Sequence, residues 1–255
     1  MLDTQVTPLT IADAFWERVK GIKDADRSVN WYPYDSLGNI DSLNPLLPDW
    51  ISTGLVNGFN KERVLDIGPA DGDLGYLFAS RGCRIDFLDY PQTNYNDCRG
   101  IKTLGKTLKI KHGYISCDLD RGFALKGQYD LALCLGVIYH LRNPMLVLME
   151  LARHAQHMLL STRVSTEFPD GADMGSYPCA YLLECRESND DPTNYWSMSP
   201  FGLRRILKRS GWIVKSEVTY GPGKSNPIHQ DADSRMFVYC ERVPNWADLG
   251  KHHDF

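Results

Sequence analysis

Arg63-Val64-Leu65-Asp66-Ile67-Gly68-Pro69-Ala70-Asp71-Gly72-Asp73-Leu74-Gly75 is the stretch whose reading decides the fold. An apolar strand runs into a tight glycine turn, and the turn opens onto a helix. Glycine is required where the backbone takes positive φ, or passes so close to a ligand that a Cβ would collide with it. Seventeen residues beyond Gly72, the apolar run Arg84-Ile85-Asp86-Phe87-Leu88-Asp89 ends in a carboxylate. An acid at the tip of a second strand is placed to accept both hydroxyls of a ribose, so turn and acid together indicate a nucleoside-containing cofactor.

Outward from that turn, strand and helix signals alternate. A third short strand near Lys109 to Ile115 leads to the acidic turn Cys117-Asp118-Leu119-Asp120. The nearly continuous apolar run from Tyr129 to His140 reads as a fourth strand covered on both faces. Asn143-Pro144 starts a helix with Met145, Leu148, Met149 and Ala152 at helical spacing, and His157 to Thr162 is a fifth strand. Ser199-Pro200 is an N-cap followed by Pro at the first helical position, with Phe201, Leu203, Ile206 and Leu207 on the apolar face and Ser210-Gly211 as the stop. Trp212 to Val218 and Met236 to Cys240, separated by the Gly/Pro loop Tyr220 to Asp233, are expected to pair as an antiparallel hairpin at the sheet edge. The expected fold class is α/β, a Rossmann-like doubly wound, mostly parallel seven-stranded sheet with an antiparallel C-terminal hairpin. The expected organisation is an N-terminal helical and aromatic segment over residues 1–58 that covers the active site, a cofactor-binding domain over 59–243 with an insertion at about 163–198, and a tail over 244–255.

A chain of 255 residues with 43% hydrophobic and 24% charged residues suits one large α/β domain with a sizeable core. No apolar run approaches the roughly 20 residues needed to span a bilayer, and no basic-then-apolar leader opens the chain, so neither membrane span nor signal peptide is inferred and a cytoplasmic protein is expected. Seven scattered cysteines without a C-x-x-C pattern argue for reduced thiols rather than a disulfide framework or a zinc site. Histidines 112, 154, 157, 229, 252 and 253 show no ligand spacing, so no metal is expected. A net charge of −4 offers no global footprint for nucleic acid. Arg204, Arg205, Lys208 and Arg209 cluster on one helix, either as a solvated face or as a local basic patch.

The glycine pattern separates two cofactor classes. Dinucleotide binders carry Gly-x-Gly-x-x-Gly; here the order is Asp66-x-Gly68-x-Ala70-x-Gly72. This resembles the first motif of class I S-adenosylmethionine (SAM) methyltransferases, with Ala70 in place of the usual middle glycine. The resemblance implies that the turn Asp66, Gly68, Ala70, Gly72 faces the methionine part of SAM, that Asp66 supports the turn and that Asp89 takes the ribose. It further implies cofactor contacts from Tyr90, Leu119, Leu135 and Tyr139, with Asp118 at the adenine amino group. Asn30-Trp31-Tyr32-Pro33-Tyr34-Asp35-Ser36-Leu37, Leu135-Gly136-Val137-Ile138-Tyr139-His140-Leu141-Arg142-Asn143-Pro144 and Asp191-Pro192-Thr193-Asn194-Tyr195-Trp196-Ser197-Met198-Ser199-Pro200 are similar to segments of the methyltransferases related to the tRNA wobble-uridine carboxymethyl transferase. In that transferase the cofactor is carboxy-SAM, whose carboxylate needs basic partners. No lysine near Trp31 matches that need, and ordinary SAM, with S-adenosyl-L-homocysteine as product, is the expected cofactor.

Methyl transfer is an in-line displacement, so an enzyme mainly aligns the acceptor lone pair with the C–S bond and excludes water. An oxygen or nitrogen acceptor that loses a proton calls for a general base, and His140, just past the fourth strand, is the candidate, with a structural histidine at the strand-helix turn as the alternative. Tyr139 either orders the cofactor or packs with its hydroxyl satisfied. The long acid-bearing stretch from Arg163 to Met198 reads as a lid over the acceptor or as an ordered surface excursion. Trp31, Tyr32, Tyr34, Tyr195 and Trp196 are the candidate acceptor contacts. The expected function is SAM-dependent methyl transfer to an oxygen or nitrogen of a small or medium-sized acceptor. The alternatives are a tRNA wobble-uridine (carboxy)methyltransferase and a non-catalytic SAM-binding protein.

Overall fold

A computed structural model describes residues 6–228 and 234–244. His229, His252, His253 and most of the expected tail lie outside the described residues. Two compact units are distinguished, one running to Asp118 and including Tyr129–Leu133, the other made of Leu119–Gln128 and the chain from Cys134 onward.

The first unit opens with helix α1 (Pro8–Ala25), held at its start by a Thr7/Thr10 capping box and Pro8 in the first turn. Helices α2 (Asn39–Leu43) and α3 (Asp49–Asn57) follow. Strand β1 (Arg63–Ile67) is buried from Val64 on, as the apolar run demands, and the glycine turn delivers it into α4 (Asp73–Ser80). Strand β2 (Arg84–Asp89) pairs parallel with β1, and β3 (His112–Ser116) pairs parallel with β2 after helix α5 (Arg99–Leu108). Lys109, expected at the start of the third strand, instead takes the left-handed conformation that ends α5, so β3 begins three residues later at His112.

Strand β4 spans Tyr129–Leu135. It stops short of the expected His140 because Gly136 turns the chain at φ +73° and Ile138–His140 winds into a 3-10 turn. In the second unit, Asn143 caps α6 (Pro144–His154) by accepting from the Leu146 N–H at 3.2 Å. Strand β5 (Ala155–Val164) is buried along nearly its whole length. Ser199 caps α7 (Pro200–Arg209) as its sequence announces.

The sheet has nine strands rather than the expected seven, in the order β3-β2-β1-β4-β5-β7-β6 with a branch from β5 through β9 to β8. The two extra strands, β6 (Ala180–Leu182) and β7 (Trp196–Met198), come from the insertion and pair antiparallel with each other. They escape sequence reading because three-residue strands show no periodicity. The hairpin of β8 (Trp212–Tyr220) and β9 (Ser234–Arg242) forms as expected, but only β8 is at the edge, since β9 also pairs antiparallel with β5 from His157↔Glu241 to Val164↔Ser234. The order reverses between β1 and β4, and in open α/β sheets ligands bind beyond the carboxyl ends of strands at such a switch. That places interest on the turn after β1.

Among the described residues no helix is long and apolar enough to cross a membrane. The seven cysteines are all free thiols.

Candidate functional site

The turn after β1 is built from left-handed residues. Gly68, Ala70 and Gly72 have φ of +58°, +56° and +88°. A Cβ on Gly72 would lie 3.1 Å from the Phe87 ring and 3.2 Å from that of Tyr76, so glycine is demanded by conformation and by space alike. Asp66 is buried beneath the turn, where the Gly75 N–H donates to its carboxylate while Oδ2 has no hydrogen-bond partner among the described residues. Burial holds its pKa well above the ordinary carboxylate value, with the Gly75 bond acting against the shift.

Around the turn runs a buried polar network that the sequence does not reveal. Asp71, fully removed from solvent, accepts from Lys23 Nζ at 2.9 Å and the Tyr32 N–H at 3.0 Å through Oδ2, and from Asn96 Nδ2 at 2.8 Å through Oδ1. Lys23, reaching from α1, also donates to Asp73 Oδ2 at 2.9 Å. Burial raises the Asp73 pKa to about 6 despite the Lys23 charge. Desolvation alone would lower the Lys23 pKa, but the two carboxylates outweigh it and hold the ammonium charged. The Ser36 hydroxyl accepts from the Leu74 N–H at 3.2 Å and so satisfies one of the open donors at the start of α4.

Asp89 ends β2 half-buried, its Oδ1 accepting from the Tyr90 N–H at 2.7 Å and its Oδ2 from Asn94 Nδ2 at 2.9 Å. Each oxygen retains a lone pair for a further donor. Burial raises this carboxyl too. Asn94 Oδ1 in turn accepts from the N–H groups of Asn96 and Cys98 at 3.0 and 2.8 Å, fixing the loop that carries Tyr90 into α5.

Of the N-terminal aromatic residues, Trp31 Nε1 donates to the Asp26 carbonyl at 2.8 Å, and Tyr32 accepts from the Tyr95 N–H at 3.0 Å while packing 5.4 Å from Tyr34 and 5.3 Å from Tyr95. Tyr34 is exposed. One expectation is corrected: a lysine does lie near Trp31, since Lys23 Nζ sits 5.6 Å from the ring centroid. Seven residues of intervening chain conceal it, and its acidic partners are Asp71 in the glycine turn and Asp73 at the start of α4.

The second unit gathers the other candidates. Leu119 starts a 3-10 turn (Leu119–Arg121), and Leu135 is half-buried at the end of β4. Asp118, in the first unit, lies half-buried just before that turn. Tyr139 and His140 have ring centroids 4.1 Å apart, and Arg235 of β9 donates to the Tyr139 hydroxyl at 3.4 Å with its guanidinium 5.6 Å from the ring centroid. The insertion folds back on this turn. The Tyr195 N–H donates to the Tyr139 carbonyl at 2.9 Å, the Trp196 indole to the Leu141 carbonyl at 2.9 Å, and Arg142 Nε to the Tyr195 hydroxyl at 3.1 Å.

His140 Nδ1 lies 3.2 Å from the Thr193 carbonyl. A carbonyl only accepts, so Nδ1 carries the proton and the neutral ring presents a bare lone pair at Nε2, which has no partner among the described residues. Desolvation lowers the His140 pKa, opposed by the Thr193 carbonyl and Asp191 and reinforced by Arg235 and Arg163. The ring is therefore neutral at pH 7 and able to take a proton.

Sequence reasoning missed Lys23, Asn94, Asn96, Arg235 and Thr193 as parts of these arrangements. Only Asn94 and Asn96 left a signal, two Asx residues ahead of a helix. The basic residues of α7 are partly neutralised, Arg204 forming a bidentate pair with Glu217. Among the described residues, no group of three or more His, Cys, Asp or Glu could hold a metal ion.

A family model described as "Methyltransferase domain" matches residues 41–217. The ubiquinone biosynthesis O-methyltransferase of Rickettsia felis is 26% identical over 228 residues, covering 86% of this chain and 91% of its own. That of Aeromonas salmonicida is 26% identical over 189 residues, covering 72% and 76%. The fold is shared with coclaurine N-methyltransferase, solved with N-methylheliamine and S-adenosylhomocysteine (TM-score 0.57, 12% identity, 89% of this chain and 78% of that one). It is shared as well with magnesium protoporphyrin IX methyltransferase of Synechocystis, solved with bound S-adenosylhomocysteine (TM-score 0.52, 17% identity, 91% and 94%).

Proposed function

The chain belongs to the methyltransferase-domain family and uses SAM, and from that premise we propose that it methylates a hydroxyl oxygen of a small aromatic acceptor, with His140 as the general base. The observation that carries the reading is the placement of the His140 ring, whose Nδ1 lies 3.2 Å from the Thr193 carbonyl and whose pKa burial lowers. When bound, SAM supplies an electrophilic methyl carbon on a sulfonium. Asp89 would receive the ribose hydroxyls on its remaining lone pairs, and the left-handed turn Gly68 to Gly72 would admit the methionine portion without a Cβ in the way. Asp118, Leu119, Tyr90, Leu135 and Tyr139 are proposed to complete the cofactor contacts. His140 Nε2 would take the proton of the acceptor hydroxyl as that oxygen is methylated. Tyr195 and Trp196, held by Arg142 and the Leu141 carbonyl, offer flat apolar surface of the kind an aromatic ring stacks on. The relatives' naming as ubiquinone biosynthesis O-methyltransferases supports an oxygen acceptor.

Titration calorimetry with SAM, S-adenosylhomocysteine and carboxy-SAM, on wild type and Asp89→Ala, followed by a methyl-transfer screen over phenols, amines and tRNA, tests the proposal. Saturable SAM binding lost in Asp89→Ala, with transfer to phenols alone, is expected. Transfer only to amines, or preference for carboxy-SAM with turnover on tRNA, would overturn it.

A further inference from the structure

His140 is held by more than the Thr193 carbonyl. The Thr193 hydroxyl lies 2.9 Å from the same Nδ1, and Asp191 Oδ1 accepts both the Thr193 hydroxyl at 2.6 Å and the Thr193 N–H at 2.8 Å. The directions of these bonds follow from the chemistry. A carboxylate only accepts, so the Thr193 proton is committed to Asp191; the hydroxyl oxygen can then only accept, and the Nδ1–H is shared between the two oxygens of Thr193. We propose that Thr193 and Asp191 are positioning residues of the transfer: Asp191 orients the Thr193 hydroxyl, Thr193 holds the Nδ1–H form of His140, and Nε2 is thereby kept as the base.

The three residues are 53 positions apart at their widest, yet the spacing Asp191-x-Thr193 is local, an Asx turn that needs no other element to form. The insertion thus supplies the base with its orientation. The arrangement has the logic of a base oriented by a third group, with a threonine interposed between carboxylate and imidazole. The charges that face His140 are Asp191 from the insertion, Arg163 from β5 and Arg235 from β9, so Asp191 opposes two cations.

The proposal rests on the hydroxyl-acceptor reading but is tested separately from it. In ¹⁵N NMR of imidazole-labelled protein, with His140 assigned by its loss in His140→Gln, wild type is expected to show protonated Nδ1 and bare Nε2 in the neutral form. Thr193→Val keeps the carbonyl acceptor but loses the hydroxyl one, so it is expected to shift this partway toward the protonated Nε2 form and to lower kcat up to roughly tenfold, while Thr193→Ser restores both. Asp191→Asn keeps an accepting oxygen but loses the charge, so it is expected to keep the tautomer and move the His140 titration, and the acid limb of kcat/KM, to lower pH. A loop with a purely structural role would move neither. Binding of S-adenosylhomocysteine by calorimetry checks that each variant is folded; if Thr193→Val does not fold, the wild-type tautomer and the Asp191→Asn titration decide. A protonated Nε2 in wild type, or an Asp191→Asn titration that does not move, overturns the proposal. Turnover that survives in His140→Gln overturns the hydroxyl-base reading instead, and the two failures are distinct.

Discussion

The two units each hold a polar network that joins acid to nitrogen, directly in the first and through Thr193 in the second, but in opposite surroundings. Around the glycine turn, Asp71 and Asp73 are 0% exposed and Asn96 1%, and the carboxylates are met by Lys23, Asn96 and the Tyr32 N–H. In the second unit Thr193 is exposed, and Asp191 and His140 are both half-exposed. Charges removed from water must be partnered or they cost several kcal/mol, whereas exposed ones are screened and contribute little to folding. The first network therefore carries stability together with shape, and the second is free to serve chemistry. A cofactor common to a family tolerates a rigid receptor; an acceptor that differs between relatives is better met by loops.

The sharpest way to break that comparison is to remove Lys23. Lys23→Met leaves Asp71 and Asp73 as buried carboxylates without their cation, and a loss of about 3–5 kcal/mol in urea unfolding is expected. Adding Asp71→Asn and Asp73→Asn should recover most of it. A loss no larger than that of an exposed pair would mean that water reaches the network and that the two units do not differ in kind.

The next largest effect is in pH. The Asp73 pKa is raised to about 6, so between the ordinary carboxylate value and that point the folded state keeps a proton that the unfolded state has released. Stability therefore falls as pH rises through that window, by on the order of 3 kcal/mol from this group. His140 works the other way. Its pKa is lowered, so below its ordinary value the unfolded chain binds the proton first, and stability rises with pH there. Urea midpoints measured from pH 4 to 7 should show a shallower decline in Asp73→Asn and, near pH 6, a shallower rise in His140→Gln.

Third is the contrast in turnover. His140→Ala is expected to lower kcat about 100-fold while leaving the affinity for S-adenosylhomocysteine within twofold. A matching loss of affinity would show that His140 serves the cofactor rather than the acceptor.

The same contrast explains what could be read in the chain. β1, β2, β4 and the caps of α6 and α7 were legible because each is dictated by neighbours in sequence: an apolar run, a glycine turn, Asn143 before Pro144, Ser199 before Pro200. The left-handed turn at Gly68 and Gly72 and the place of Asp89 at the end of β2 were legible for the same reason. Lys23 and Thr193 were not, since their meaning lies in partners 48 and 53 residues away and neither residue type is unusual where it stands. β6 and β7 were hidden by their shortness, and the interior place of β9 by its dependence on a register with β5 that no local pattern encodes.

The smallest expected effect tests how tightly the turn itself is drawn. Ala70 holds φ +56° between Gly68 and Gly72, in a region where a Cβ crowds the following carbonyl. That conformation costs a non-glycine residue roughly 1–2 kcal/mol. Glycine in its place would remove this strain but give the unfolded chain more freedom, worth about 0.5–1 kcal/mol the other way. Ala70→Gly is therefore expected to stabilise the protein by a few tenths to about 1 kcal/mol in urea unfolding, with unchanged affinity for S-adenosylhomocysteine. If stability rises but affinity falls, the Ala70 methyl is itself a cofactor contact, and the strain is retained because it presses that methyl toward the ligand; the rigid half of the molecule would then hold a binding group where backbone geometry alone predicts only a turn.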